Sequence, residues 1–217
     1  MSSLVIIDSE CANLSSIYKA ARFVNLDPVI SDNPKIISAA EAVIFPGVGS
    51  FAHAASLISR KKLTSSLLET ITAGKPFLGI CLGMQLLFSR SEETILSSGI
   101  ETAEGLKAIS GEVKRFPEGL PIPHVGWNKV DPAFGHPLFK GLDSGVNGGS
   151  YFYFTHSYYV QPEKNENILG RTEYGFPFTS AVIKKNLFGV QFHPEKSGPA
   201  GLRLLSNFGK IIADIKY

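Results

Sequence analysis

The stretch PFLGICLGMQLLF, residues 76–88, sets a cysteine between two glycines where an apolar strand gives way to an amphipathic helix. Pro76 to Ile80 is a short apolar run suited to a buried strand, while Met84, Leu87 and Phe88 recur at helical spacing. The turn between them is predicted over Gly79-Ile80-Cys81-Leu82-Gly83. This is a nucleophile-elbow pattern with sulfur in place of a serine oxygen, the glycines removing Cβ atoms where the backbone is tight and neighbouring elements come close. The thiol is expected to be exposed at the strand's end, where the positive end of the following helix favours the attacking thiolate. A cysteine is also the small apolar filler of many cores, so catalysis requires partners elsewhere in the chain.

Outward from this turn, short apolar runs alternate with helical patterns through the first half. LVIID is followed by Leu14, Ile17, Tyr18 and Ala21 on one helical face, then AVIFPG, a serine-rich helix around Leu63 to Ile71, and PFLGI. That order predicts βαβ units on a parallel sheet. VGWNKV, YFYFTHSYYV, ILGRTEY, SAVIKK and LFGVQF then follow closely, separated by turn residues, and predict an antiparallel extension. A closing helix is expected from Gly201 to Ile215, with Leu202, Leu205, Phe208, Ile212 and Ile215 as its apolar stripe. GLDSGVNGGS, residues 141–150, lacks the Lys-Ser/Thr ending of a P-loop and reads as a glycine-rich loop.

The partner for Cys81 lies in GVQFHPEKSG, residues 189–198. His193 and Glu195 are two apart, which in extended backbone puts both side chains on one face, and Pro194 suits a strand end. A base able to take the thiol proton thus sits beside a carboxylate able to orient it, the logic of a catalytic triad. HPE alone fits an ordinary strand-end histidine with a solvated glutamate as well. An elbow cysteine and an HxE pair in one chain favour covalent catalysis.

With 217 residues, 44% hydrophobic and 18% charged, the chain can bury one sizeable core, so a single domain over 1–217 is expected. A formal net charge of +2 without a long basic block gives no nucleic-acid or membrane signature. Met1-Ser2-Ser3 leads straight into the strand-like Leu4 to Ile7 without the charged and apolar regions of a signal peptide, which points to a cytoplasmic location. The two cysteines, Cys11 and Cys81, make no CxxC pair, so neither a disulfide framework nor a structural zinc site is indicated, and no metal or cofactor is expected.

The chain resembles the class I, triad-type glutamine amidotransferases, and within them the glutaminase subunits of imidazole glycerol phosphate synthase. The resemblance is carried, nearly end to end, by PGVGSF at 46–51, GICLGMQ at 79–85, PHVGWN at 123–128, FTHSY at 154–158 and QFHPEKSG at 191–198. It implies an α/β fold with a flavodoxin-like parallel sheet, an antiparallel extension and helices on both faces. It also implies a glutaminase that hydrolyses L-glutamine and passes ammonia to a separate (β/α)8-barrel cyclase in a heterodimer of histidine biosynthesis.

On this resemblance Cys81 is the nucleophile, His193 the acid and base, and Glu195 its orienting carboxylate. The Leu82 amide, directly after the nucleophile, is an expected oxyanion donor; the resemblance implies a second from Val48, flanked by Gly47 and Gly49 in a strand-end loop facing substrate. It implies glutamine binding for Gln85, otherwise a solvated helix residue. Trp127, Asn128, Tyr153 and Lys196 match positions at the synthase interface around an ammonia passage, although Trp127 and Tyr153 also suit core packing. His156 reads as a hydrogen-bonded strand histidine without a proton-transfer role.

The chain departs from the family at Asp8-Ser9-Glu10-Cys11-Ala12-Asn13, where a glycine-bearing turn of the type DYGxGN is usual. Alternatives on the same elbow are the glutaminase component of another ammonia-transferring synthase, a stand-alone hydrolase of γ-glutamyl or peptide bonds, and a non-enzymatic binding protein.

Overall fold

The computed structural model describes residues 4–93, 103–133, 135–142 and 150–215. In chain order the elements are β1 (Leu4–Ile7), α1 (Leu14–Phe23), β2 (Pro28–Ser31), α2 (Pro34–Ala39), β3 (Ala42–Gly47), α3 (Phe51–Arg60), α4 (Leu63–Thr72), β4 (Phe77–Cys81) and α5 (Leu82–Gln85). They continue with β5 (Arg90–Ser91), β6 (Gly111–Arg115), β7 (His124–Pro132), β8 (Ser150–His156), β9 (Tyr158–Pro162), β10 (Ile168–Glu173), β11 (Pro177–Lys184), β12 (Leu187–Val190) and α6 (Gly198–Asp214).

The parallel part runs β2-β1-β3-β4-β12, so the last strand of the chain takes the fifth place of a flavodoxin-like order. β1, β3, β4 and β12 are apolar because both faces are covered, whereas the edge strand β2 leaves Val29 and Ile30 exposed. Val5, Ile7, Val43, Phe45 and Phe77 pack into one core with Ile37, Leu57 and Leu67 from α2, α3 and α4. The alternate residues Leu4, Ile6, Ile44, Leu78 and Ile80 enter the other with Ile17 of α1 and Leu204, Leu205 and Phe208 of α6. Beyond β12 the sheet continues antiparallel through β11, β10, β7 and β8, the expected extension. β9 pairs with β6 and β11 beside it.

Local details differ from the sequence reading. The helix after Cys81 is one turn long, because the carbonyls that would extend it are engaged elsewhere: Leu86 O accepts from Leu106 N at 2.8 Å and Leu87 O from Ala108 N at 2.9 Å. YFYFTHSYYV is two strands broken at Ser157. The closing helix starts at Gly198 and stops at Asp214, leaving Ile215 beyond it and exposed, while Leu204 and Ile211 join the buried stripe. Most of the glycine-rich stretch 141–150 lies outside the described residues. Among the described residues no helix is long and apolar enough to cross a membrane.

Candidate active site

Three parallel strands end side by side and deliver the site. Gly47, ending β3, is in register with Cys81, ending β4, and Ile80 pairs with Val190, ending β12. Ligand sites of such sheets lie at the carboxyl ends of the strands. Cys81 sits there with φ 53° and ψ −111°, a conformation that costs a side-chain-bearing residue strain.

The glycines of the elbow answer to contacts that can be named. A Cβ on Gly83 would lie 1.8 Å from the Phe45 carbonyl oxygen, and one on Gly79 would lie 2.8 Å from that of Gly83. The elbow therefore closes only because α5 can press its backbone onto β3 and β4. Gly47 serves the same packing, its missing Cβ facing Leu82 Cβ at 3.0 Å and Gly83 N at 3.1 Å. Gly47 thus packs the elbow and does not itself line the cavity. The thiol is also less open than expected, Cys81 being only 6% exposed at the wall of a cavity of about 290 Å³, of a size for one small molecule. With α5 only one turn long, little helix dipole remains to act on it.

His193 and Glu195 meet through a tight turn and not along extended backbone. Pro194–Lys196 form one turn of 3₁₀ helix, which brings His193 Nδ1 to 2.8 Å from Glu195 Oε1. Both side chains are buried. The turn is fastened to β8: His193 N donates to Tyr153 O at 2.9 Å, and Ser197 Oγ donates to His193 O at 2.6 Å while accepting from Tyr153 N at 3.0 Å. Burial works against a charge on His193, but the adjacent Cys81 thiol and the Glu195 carboxylate outweigh it and push its pKa up to about 10. Its Nε2 is buried and makes no hydrogen bond of regular geometry, although the Cys81 thiol is close enough to act on it. An unpartnered buried nitrogen beside a thiol suits a group awaiting a proton to move.

The cavity is lined by Val48, Gly49, Cys81, Leu82 and Gln85, together with Glu93, which the sequence reading missed. Glu93 has no motif around it and reaches the site from a loop, where its Oε2 accepts from Phe51 N at 2.5 Å. Leu82 is the first residue of α5, where helical N–H groups lack intrahelical partners. The Val48 amide does not point at the sulfur: it donates to Cys11 O at 2.6 Å. Gln85 is buried, not solvated, and its Nε2 donates to Tyr158 O and to Gln191 Oε1, both at 3.1 Å.

On the outer face, Trp127 is 56% exposed and directly opposite Tyr153 on the β7–β8 hairpin, their ring centroids 6.3 Å apart, and Lys196 Nζ stands 5.7 Å from the Tyr153 ring. Neither ring is a core residue. Asn128 does not join them: it lies on the opposite face of β7, with Nδ2 donating to Glu173 O at 2.8 Å and lying 3.3 Å from His124 Nε2. His156 is buried, with Nδ1 donating to Tyr158 O at 2.7 Å and Nε2 3.0 Å from His124 Nδ1. Among the described residues no three or more His, Cys, Asp or Glu side chains gather as a metal site.

A family model for class-I glutamine amidotransferases matches residues 5–212. The chain belongs to the class-I glutamine amidotransferase family. This amidotransferase is 46% identical to the imidazole glycerol phosphate synthase subunit HisH of Moorella thermoacetica, over 98% of its own length and 96% of the relative's. The subunit of the same name from Yersinia pseudotuberculosis is 46% identical over 94% of this chain and 97% of that one. Among solved structures, a glutamine amidotransferase superposes with TM-score 0.72 at 16% identity, covering 96% of this chain and 98% of its own. PurLQS from Thermotoga maritima gives TM-score 0.72 at 16% identity over 100% and 99% of the two chains. At such identity these two structures speak for the amidotransferase fold alone.

Proposed function

We propose that this chain, as one domain over residues 1–217, is the glutaminase subunit of an imidazole glycerol phosphate synthase. It hydrolyses L-glutamine and delivers ammonia to a separate (β/α)8-barrel cyclase subunit, as a cytoplasmic heterodimer in histidine biosynthesis. The reading is carried by one observation: Cys81 and the His193–Glu195 pair stand at the ends of adjacent parallel strands, in a chain that aligns nearly end to end with HisH subunits.

The Cys81 thiolate attacks the side-chain amide carbon of glutamine, forming a C–S bond and an oxyanion. His193, kept protonated by Glu195 and the neighbouring sulfur, gives its Nε2 proton to the departing nitrogen; ammonia leaves and a glutamyl thioester remains. A water then gives its proton to His193 Nε2 and attacks the thioester, releasing glutamate and the thiolate. Glu195 holds the imidazole through Nδ1 and stabilises its charge. The amides of Leu82 and Val48 serve the oxyanion, Val48 once its N–H leaves Cys11. Gln85 has both Nε2 protons engaged, so it offers substrate the acceptor Oε1, and Glu93 supplies the negative charge that an α-ammonium group needs.

Trp127, Tyr153 and Lys196 form the face toward the cyclase. Ammonia released into neutral water becomes mostly ammonium, which has no lone pair for attack, so delivery through a docked partner preserves it. The test is Cys81→Ala in complex with the cyclase. Glutamine-dependent synthesis is expected to vanish, while synthesis with saturating ammonium salt at alkaline pH persists. Loss of both with the subunits still associated would overturn the division of labour. Robust glutamine turnover with no cyclase able to bind would favour a stand-alone hydrolase.

A further inference from the structure

Gln191 is the first residue after β12, is fully buried, and takes no part in the proposed steps of hydrolysis. Its Nε2 lies 3.6 Å from Cys81 Sγ, within hydrogen-bonding range for sulfur. Its amide cannot face the other way without loss: Oε1 accepts from Gln85 Nε2 at 3.1 Å, and the remaining Gln85 proton is held by Tyr158 O at 3.1 Å. Turning the Gln191 amide would set two NH₂ groups against each other in a buried place and leave an oxygen facing the sulfur. Gln191 N donates to Ser180 O at 2.9 Å, which keeps the residue tied to β11.

We infer that Gln191 holds the Cys81 sulfur as the thiolate, with Gln85 as the residue that orients it. A neutral N–H donor interacts more strongly with S⁻ than with S–H, because hydrogen bonds to an ionised acceptor are the stronger kind. Being uncharged, the amide does this without competing with the imidazolium of His193 for the same negative charge. The donor also keeps the sulfur on the strand end, where the elbow aims it at the cavity. Gln85 therefore has two tasks on opposite ends of one amide, its N–H groups fixing Gln191 and its oxygen facing the cavity.

The inference rests on Cys81 as the nucleophile, and the experiment separates the two. The full chain is treated with iodoacetamide at neutral pH, and alkylation of the peptide carrying Cys81 is followed by mass spectrometry, a readout of thiolate independent of glutamine turnover. Gln191→Leu is expected to slow Cys81 alkylation by about tenfold or more. The glutaminase kcat of the complex should fall comparably with KM little changed. Gln85→Met, which frees the Gln191 amide to turn, is expected to slow alkylation in the same direction but less. Gln191→Glu is expected to slow it as well, since an acceptor then faces the sulfur. Alkylation within twofold of wild type in folded Gln191→Leu would overturn the inference; should that variant not fold, unchanged alkylation in Gln191→Glu and Gln85→Met would do the same. If Cys81→Ala still turns over glutamine, it is the nucleophile assignment that fails.

Discussion

The amide of Val48 donates a 2.6 Å hydrogen bond to the carbonyl of Cys11. One of the two donors proposed for the oxyanion is therefore held by the loop Asp8 to Asn13. Glu10 in that loop has φ 62° and binds Lys61 Nζ at 2.8 Å, which also binds Asp32 at 2.9 Å, so the loop is tied to the end of α3. A missing oxyanion donor costs roughly a hundred- to a thousandfold in rate. Glutamate release is expected to be slow in the isolated chain, faster with the cyclase, and faster again with the cyclase and its nucleotide substrate. Equal rates in all three conditions would rule out partner control of this peptide.

Unequal losses are expected at His193 and Glu195. His193→Ala removes the group proposed to move the proton to and from nitrogen, and should reduce kcat to near background. Glu195→Gln keeps a partner 2.8 Å from Nδ1 but not its charge, so it should retain measurable activity, with a His193 less ready to hold a proton. Steady-state kinetics of the two variants in the complex decide it; a His193→Ala enzyme as active as wild type would remove the triad.

Gly83→Ala tests the elbow as architecture. The new Cβ would meet the Phe45 carbonyl oxygen at 1.8 Å, and backbone on both sides leaves no flexible side chain to move away. A loss of at least about 3 kcal/mol in urea unfolding is expected, at the upper end for overpacking. Gly119→Ala is the control, since nothing stands within 4 Å of its Cβ and only its φ of +93° opposes the change. It should lose about 1–2 kcal/mol. Equal losses in the two would mean that β3 and α5 part more easily than their contact distances allow.

Acid stability reports the buried histidine pair. Burial pushes His156 down to about 3, the Tyr158 carbonyl opposing only in part, and burial pushes His124 down to about 4. Above pH 6.5, the ordinary histidine value, both are neutral in the folded and unfolded chain and add no pH dependence. Below it the unfolded chain alone takes up the protons, so stability falls as pH drops from there toward 4 and 3, by up to about 1.4 kcal/mol per pH unit for each ring. His156→Gln keeps a donor toward Tyr158 O and an acceptor toward His124, and its melting temperature should fall less steeply over this range. Parallel curves for the two proteins would contradict the neutral pair.

Much of this was legible because both faces of the parallel sheet are buried, so Leu4 to Ile7 and Phe77 to Ile80 read as unbroken apolar runs. The elbow was legible because tight backbone approach demands glycine at 79 and 83. Other features carried no local signal. The length of α5 is decided by carbonyls bonded to residues near 106, about twenty positions along the chain. Glu93 is a single polar residue outside any motif, and Gln191, although it opens the QFHPEKSG motif, shows its partners only when strands and loops meet. The facing of Asn128 follows from strand alternation, which a motif match ignores, and the direction of the Val48 N–H is a peptide rotation that no side chain encodes.

Cys81 holds φ 53° and ψ −111°, and this has a consequence for stability. In most places alanine is more stabilising than glycine by roughly 0.5–1 kcal/mol, because glycine has more freedom to lose. Here a Cβ is carried in a backbone shape that opposes it, so the order is expected to close or invert: Cys81→Gly should melt no lower than Cys81→Ala, although both are inactive. The side chain at 81 thus adds its buried packing to the fold against the strain of its own backbone, so folding alone gives little reason to prefer a side chain there.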